Sequence, residues 1–117
     1  MKKEQATTFP TAPDADGFFY ETEDEQEMGI ETKIHKNDNK VKRAVLDGGK
    51  IAIVRELTGK DTKDIARFMG KDQEKYTMSG IAVATTINES KQTYEFFEAM
   101  KMKSYNKLLA MFYALNF

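Results

Sequence analysis

The sequence predicts an α+β fold, in which an N-terminal β-hairpin packs on a small cluster of about four helices and follows a disordered acidic tail. Across residues 45–69 the hydrophobic pattern changes from a two-residue period to a helical one, which indicates strands followed by a helix. Acidic residues are concentrated ahead of this stretch, and helical apolar stripes come after it. The chain therefore divides into an acidic segment predicted to be disordered, residues 1–35, and one small α+β domain, residues 36–117.

The charge of the first third is the reason for predicting disorder there. Residues 1–35 hold three Lys against nine Asp and Glu, a net charge of −6, whereas residues 36–117 hold fifteen Lys and Arg against ten Asp and Glu, a net of +5. Like charges in series repel, and residues 1–26 hold few apolar groups to offset the entropy of ordering. A weak alternation over residues 28–35 allows one further strand. The tail is expected to mask the basic body or to engage a basic partner.

Three consecutive aromatic residues, Phe18, Phe19 and Tyr20, interrupt the acidic segment. One interpretation is a docking anchor, because burial of aromatic surface supplies most of the affinity of a short motif. The other is that Phe18 and Tyr20 pack back onto the body as an additional edge strand. The sequence does not decide between the two.

Residues 41–46 and 50–57 are predicted to form the hairpin. The turn between them, residues 47–50, contains two glycines, which take positive φ without steric cost. Thr58 and Asp61 indicate the capped start of a helix. We expect Gly59, which lies between them, to be required by a strained turn, so that a larger residue would destabilise the junction.

The remainder of the domain has helical spacing. Residues 61–69 have one apolar stripe and end at Gly70. Residues 73–87 are predicted as a second helix, although Gly80 and the Thr pair at residues 85–86 argue against it, and residues 93–100 as a short third helix. Ser104 is predicted to cap the last helix. The apolar residues of that helix fall on one stripe: Tyr105, Leu108, Leu109, Phe112 and Leu115.

Few residues suggest catalysis or ligand binding. The chain has no cysteine, which excludes disulfides and thiolate metal sites and fits a reducing cytosol. His35, the single histidine, has no nearby residue in the sequence that would orient it as a base or a metal ligand. The sequence therefore predicts a non-enzyme without catalytic, cofactor-binding or metal-binding residues. No apolar run reaches the roughly 20 residues of a membrane span, and the modest, dispersed positive charge of the body disfavours nucleic acid as a partner.

The body of the chain resembles a known family. Residues 46–61, LDGGKIAIVRELTGKD, resemble the hairpin strand and acid-opened helix at the start of the small phage tail assembly chaperones found in Mu-like and other long-tailed phages. Further similarity lies in GIAVA at residues 80–84, TYE at residues 93–95 and SYNKL at residues 104–108. The resemblance covers residues 41–117, and Asn88 stands where that family more usually has a turn glycine.

The resemblance implies a non-catalytic assembly factor of a phage or prophage that acts in the host bacterial cytoplasm. Proteins of that family bind the long, aggregation-prone tape measure protein before the tail tube polymerises around it. The implied partners are therefore the tape measure protein and the tail tube protein. Two alternatives remain open: a structural or adaptor protein of a phage tail or another complex and, more remotely, a small nucleic-acid-binding regulator.

The candidate partner-binding residues are methionines and aromatics, which make an adaptable apolar surface. Seven Met and thirteen Phe and Tyr exceed what so small a core needs. We expect the terminal helix to be apolar on more than one side and to contact a second copy or a helical client, the alternative being that the domain wraps this helix completely. The candidate residues are Phe18, Phe19, Tyr20, Met100, Met102, Met111, Tyr113 and Phe117.

Overall fold

An antiparallel sheet organises the molecule. The computed structural model describes residues 8–117, and within them five strands pair side by side in the order in which they follow one another along the chain. Helices pack against one face of the sheet, so the protein is α+β as the sequence predicts. In chain order the elements are α1 (Glu23–Met28), β1 (Ile30–Ile34), β2 (Lys40–Val45), β3 (Ile51–Arg55), α2 (Thr62–Met69), α3 (Tyr76–Ala84), β4 (Thr85–Ile87), β5 (Ser90–Lys91), α4 (Tyr94–Glu98) and α5 (Met102–Asn116).

The predicted hairpin lies at the centre of this sheet. β2 and β3 pair antiparallel with Ala44 opposite Ala52, and the turn between them holds Gly48 and Gly49 at φ 81° and 79°. Such values favour glycine, because a Cβ atom would clash with the backbone. The hairpin prediction is confirmed, but the hairpin has further strands on both sides, since β1 pairs with β2 and β4 pairs with β3.

The prediction of a helix over residues 73–87 is wrong at its C-terminal end. α3 ends at Ala84, and Thr85–Ile87 form β4, which pairs with β3. β-branched Thr and Ile lose side-chain freedom in a helix and suit a pleated surface. The free edge of β3 also offers backbone hydrogen-bond partners that a continued helix would leave unused.

One face of the sheet forms the core. Alternate residues of β1–β4 point towards the helices. One buried row of cross-strand neighbours consists of Ile30, Ala44, Ala52 and Ile87. α5 packs against β2 and β3, and its core residues Leu108, Met111 and Phe112 are all fully buried. The short alanine side chains of the row leave room for the bulky side chains of the helix.

α3 and α5 approach each other closely at a glycine. A Cβ atom added to Gly80 in α3 would lie 2.6 Å from Cζ of Phe112 in α5. This is well inside the separation of about 3.5–4 Å at which carbon atoms pack. The Phe112 ring therefore occupies the space that any other residue at position 80 would need, and the contact sets how α5 lies against α3.

The starts of two helices match the sequence prediction to different degrees. Thr58 and Asp61 form the predicted capping box ahead of α2. Gly59 between them has no positive φ and open space where a Cβ would lie, so the expectation that it must be glycine is wrong. α5 begins at Met102, before the predicted cap Ser104. The Ser104 hydroxyl instead accepts a hydrogen bond of 3.1 Å from the Asp47 backbone N–H, which ties α5 to the β2–β3 turn.

The structure does not confirm the predicted disordered acidic tail. Phe19 forms a β-bridge with Thr32 of β1 through two N–H···O bonds of 2.9 and 2.7 Å. Phe18 is buried, and the guanidinium carbon of Arg43 lies 3.9 Å from its ring centroid. The structure thus adopts the edge-strand interpretation of the aromatic triplet. The predicted boundary at residue 35 separates the paired strands β1 and β2, and residues 1–7 of the predicted tail lie outside the described residues.

A buried ionic network explains why an acidic segment is ordered here. Lys42 points from β2 into the core face and is only 4% exposed. Its ammonium donates to Thr32 Oγ1 at 2.7 Å, to Glu21 at 3.0 Å and to Glu25. Burial acts to raise the pKa of Glu21, but hydrogen bonds from Lys40 and Lys42 outweigh it and leave that pKa below its ordinary value. The acidic segment supplies the partners that a buried ammonium requires.

We expect Gly80→Ala to lower the free energy of unfolding by about 1–3 kcal/mol, because the added methyl group and the Phe112 ring compete for one space. Phe112→Leu in the same chain should recover part of that loss. Gly59→Ala is the matched control, with an expected change within about 0.5 kcal/mol. Urea denaturation followed by circular dichroism measures these variants together with Phe112→Leu alone, and strictly additive effects at positions 80 and 112 would contradict the contact.

We expect Glu25→Ala to destabilise the fold by about 2–4 kcal/mol, because it leaves the Lys42 ammonium buried with fewer partners. Adding Lys42→Met should restore much of the lost stability, since no unmatched charge then remains in the core. Glu27→Ala, an exposed change on the same helix, controls for helix propensity. If Glu25→Ala and Glu27→Ala gave the same urea midpoint, the acidic segment would not be docked as described.

Candidate functional site

α5 carries apolar side chains on two sides. The inner side, with Leu108, Met111 and Phe112, is buried against the sheet and α3. On the outer side, Met102 and Tyr113 are eleven residues apart, about three turns, and Leu109 falls between them on the same side. When a helix is apolar on two sides and its own domain covers one of them, the other side stays exposed to solvent.

We define the outer stripe as Met102, Leu109, Tyr113 and Phe117. Met102 is 69% exposed, Tyr113 44% and Phe117 79%, whereas Leu109 is partly buried. The stripe runs for most of the length of α5, a helix of 15 residues. The polar Asn106 lies on the same side between Met102 and Leu109, so the apolar groups are aligned but concentrated at Leu109, Tyr113 and Phe117.

The aromatic end of the outer stripe packs against a residue of the core. The rings of Tyr113 and Phe117 lie 5.3 Å apart between centroids, and both also contact the buried Phe112, at 6.1 and 6.0 Å. These separations are within the range of favourable aromatic pairs. The two exposed rings are therefore held against a fixed partner, which gives the surface a defined shape.

The end of α5 is also fixed from the sheet side. The Asn116 side-chain oxygen accepts a hydrogen bond of 2.7 Å from the Leu57 backbone N–H, just after β3. This segment is held in turn by Arg55, which donates to both carboxylate oxygens of Asp61 at 3.0 and 2.9 Å. Hydrogen bonds from Arg55 and from the Thr58 backbone lower the pKa of Asp61 to about 2. A bidentate Arg–carboxylate pair with the capping box thus positions the outer stripe.

The structure places the predicted candidates of the terminal helix in different environments. The prediction of Met111 as a partner-binding residue on an exposed side of the helix is wrong, because Met111 is fully buried in the core with Leu108 and Phe112. Tyr113 and Phe117 are exposed, as is Met102. Met100 is partly buried and lines a pocket of about 300 Å³ at the start of α5.

The aromatic triplet lies away from this surface. Phe18 is buried beneath Arg43, and Phe19 is bridged to β1. The Tyr20 backbone N–H donates to the Thr11 hydroxyl at 2.9 Å. The structure therefore does not bring these three residues together with the outer stripe.

Sequence reasoning missed two sets of ionic contacts, the network of Lys42 that docks the acidic segment and the Arg55–Asp61 pair. Lys42 could have been found, because it occupies an inward position of β2 between buried Thr32 and Ala44 neighbours and so requires a partner. The Arg55–Asp61 pair joins a strand to a helix six residues later. No periodicity encodes such a pair, although Asp61 itself was identified as part of a cap.

The chemistry of the described residues gives no sign of a metal centre. No group of three or more His, Cys, Asp or Glu side chains in residues 8–117 is arranged to hold a metal ion. His35 is exposed in the loop between β1 and β2, where its backbone N–H bonds to the Asn39 carbonyl. Among the described helices, none combines the length and apolarity that crossing a bilayer demands.

No protein-family model, curated protein or solved structure matches this chain.

We expect the contribution of the Arg55–Asp61 pair to the free energy of unfolding to depend on pH. Since the folded pKa of Asp61 is about 2 and the ordinary value is about 4, the pair stabilises above about pH 4 and loses its effect as the pH falls towards 2. Asp61→Asn should lower the free energy of unfolding by about 1–2 kcal/mol at pH 7. The loss is smaller than for a fully buried pair, because Arg55 is partly exposed to solvent. The difference between this variant and the parent should shrink in urea titrations at low pH. Asp64→Asn is the exposed control, and a pH-independent difference would assign the effect to packing alone.

Proposed function

We propose that the protein is a non-catalytic tail assembly chaperone of a phage or prophage, which binds the tape measure protein in the host bacterial cytoplasm and assists assembly of the tail tube. The proposal joins two independent supports. The first is the resemblance of residues 41–117 to small tail assembly chaperones. The second is the outer stripe of α5, which offers a surface for a protein client.

The outer stripe is the observation that carries the proposal. A long helical client has apolar stripes that must be covered until the client is built into its final assembly. Tyr113, Phe117 and Met102 supply large, exposed apolar groups along one side of a helix, which can pack alongside another helix. Methionine adapts to different client side chains, and the aromatic rings supply most of the contact area.

The modest size of the surface suits a chaperone that must release its client. Interfaces much smaller than about 1,200 Å² are typical of transient complexes. The exposed part of the outer stripe consists of three side chains, so tight binding would require several copies along one client. A tape measure protein is long enough to offer repeated sites, and self-association of the chaperone through the same stripe would compete with the client.

We expect the double substitution Tyr113→Ser and Phe117→Ser to abolish binding of the tape measure protein encoded by the same genome, while the protein stays folded with a somewhat lower urea midpoint. Both side chains are exposed, so their loss removes contact area from the surface, and the lower midpoint reflects the lost aromatic contacts with Phe112. Tyr76→Ser is the matched control, because Tyr76 is 46% exposed on α3 and lies outside the stripe. The measurement is the amount of soluble tape measure protein that copurifies after coexpression.

Two results would count against this assignment. Retention of the protein in purified virions would favour the alternative of a structural or adaptor protein. Equal recovery of the client with the Tyr113 and Phe117 substitutions and with Tyr76→Ser would remove the outer stripe as the binding surface.

A further inference from the structure

A pocket lies at the opposite end of α5 from Tyr113 and Phe117. It has a volume of about 300 Å³ and opens between the β2–β3 turn, α4 and the start of α5. Its apolar wall is formed by Leu46, Phe96, Ala99 and Met100. Pockets of this size, lined mainly by apolar groups with a few polar ones, are typical of sites that take one anchoring group.

The rim of this pocket is basic. Lys50 and Lys101 line the pocket itself, and Lys103 and Lys107 line a smaller adjoining one. Among the described residues that line the two pockets, Asp47 supplies the one carboxylate, and it is 3.0 Å from the Lys101 ammonium. A hydrogen bond from Lys101, together with the charges of Lys103 and Lys50, lowers the pKa of Asp47. One carboxylate thus faces an excess of ammonium groups, and the rim keeps a positive potential.

The spread of the lysines favours an extended ligand. Lys101 and Lys107 are six residues apart, about 9 Å along the helix axis, and Lys50 lies on the other side of the pocket, on the turn. Long flexible ammonium groups arranged in this way suit several carboxylates in series better than one small anion. The apolar wall between them requires a bulky apolar group at the centre of that ligand.

We propose that this pocket binds an acidic peptide segment of a partner protein, with one leucine-sized side chain seated between Leu46, Phe96 and Met100 and flanking carboxylates paired with the lysines of the rim. The inference is independent of the proposed function, because the pocket does not include the aromatic end of the outer stripe. In this proposal Met100 is a pocket residue that contacts the leucine-sized side chain of the peptide.

The test uses the full-length chain labelled with ¹⁵N and with ¹³C-methyl groups, titrated with a short blocked peptide that has one leucine between glutamates. We expect saturable shifts of the methyl resonances of Leu46, Ala99 and Met100. Replacing the leucine of the peptide by glycine should weaken binding about tenfold or more, because burial of one leucine side chain is lost. Replacing its glutamates by lysines should abolish binding.

Two substitutions in the protein locate the site. Ala99→Leu fills the exposed mouth of the pocket and should weaken binding about tenfold, whereas Ala66→Leu on α2 is a matched exposed control and should leave it unchanged. The double substitution Lys50→Glu and Lys101→Glu should weaken binding about fivefold or more, with a smaller loss at high salt, while Lys63→Glu serves as the charge control. Urea midpoints near that of the parent establish that each variant is folded.

Several outcomes would overturn the proposal. If the glycine peptide bound as tightly as the leucine peptide, the lysines would form only a general polyanion surface, which a short oligonucleotide would then also occupy. If Ala99→Leu bound the leucine peptide normally, the anchor would lie elsewhere. If the same methyl resonances shifted with protein concentration in the absence of peptide, the occupant would be a second copy of this chain.

Discussion

The close approach of α5 to the sheet and to α3 determines how the core is packed. Ala44 and Ala52 face each other across β2 and β3, and Gly80 leaves the space that the Phe112 ring fills. Larger residues at these positions would force the helix outward and open the core. Because Leu108, Met111 and Phe112 are buried in this packing, the side of α5 that carries Met102 and Tyr113 stays exposed.

A second feature, a core that is partly ionic, determines how the acidic segment docks on the sheet. The row of inward residues that contains Val54 and Thr85 continues across the sheet as Lys42 and Thr32. A buried ammonium is tolerated only with close acceptors, and Glu21 and Glu25 from the acidic segment provide them. The asymmetry of charge along the chain thus has a structural explanation for residues 8–35: acids that repel one another along the sequence are neutralised by pairing with Lys40, Lys42 and Arg43.

These two features place the exposed surfaces at opposite ends of one helix. The start of α5 is tied to the β2–β3 turn by Ser104, and its end is tied to the segment after β3 by Asn116. The basic pocket lies at the first tie and the aromatic end of the outer stripe lies at the second. A helix held at both ends can present two different binding chemistries without movement of the backbone.

Features that depend on neighbours along the chain could be predicted from the sequence. The alternation of residues 51–54, the paired turn glycines and the spacing of Thr58 and Asp61 predicted the central hairpin and the capping box, since each is encoded within a few residues. The exposure of Tyr113 and Phe117 could be predicted in the same way, from helical spacing. Tertiary structure alone decided that Met111 belongs to the core, that residues 85–87 leave the helix to pair with β3, and that the acidic segment docks on Lys42. Each of these depends on a partner distant in sequence, namely the sheet under α5, the open edge of β3 and a buried ammonium, and a local pattern holds no information about which distant group will be present.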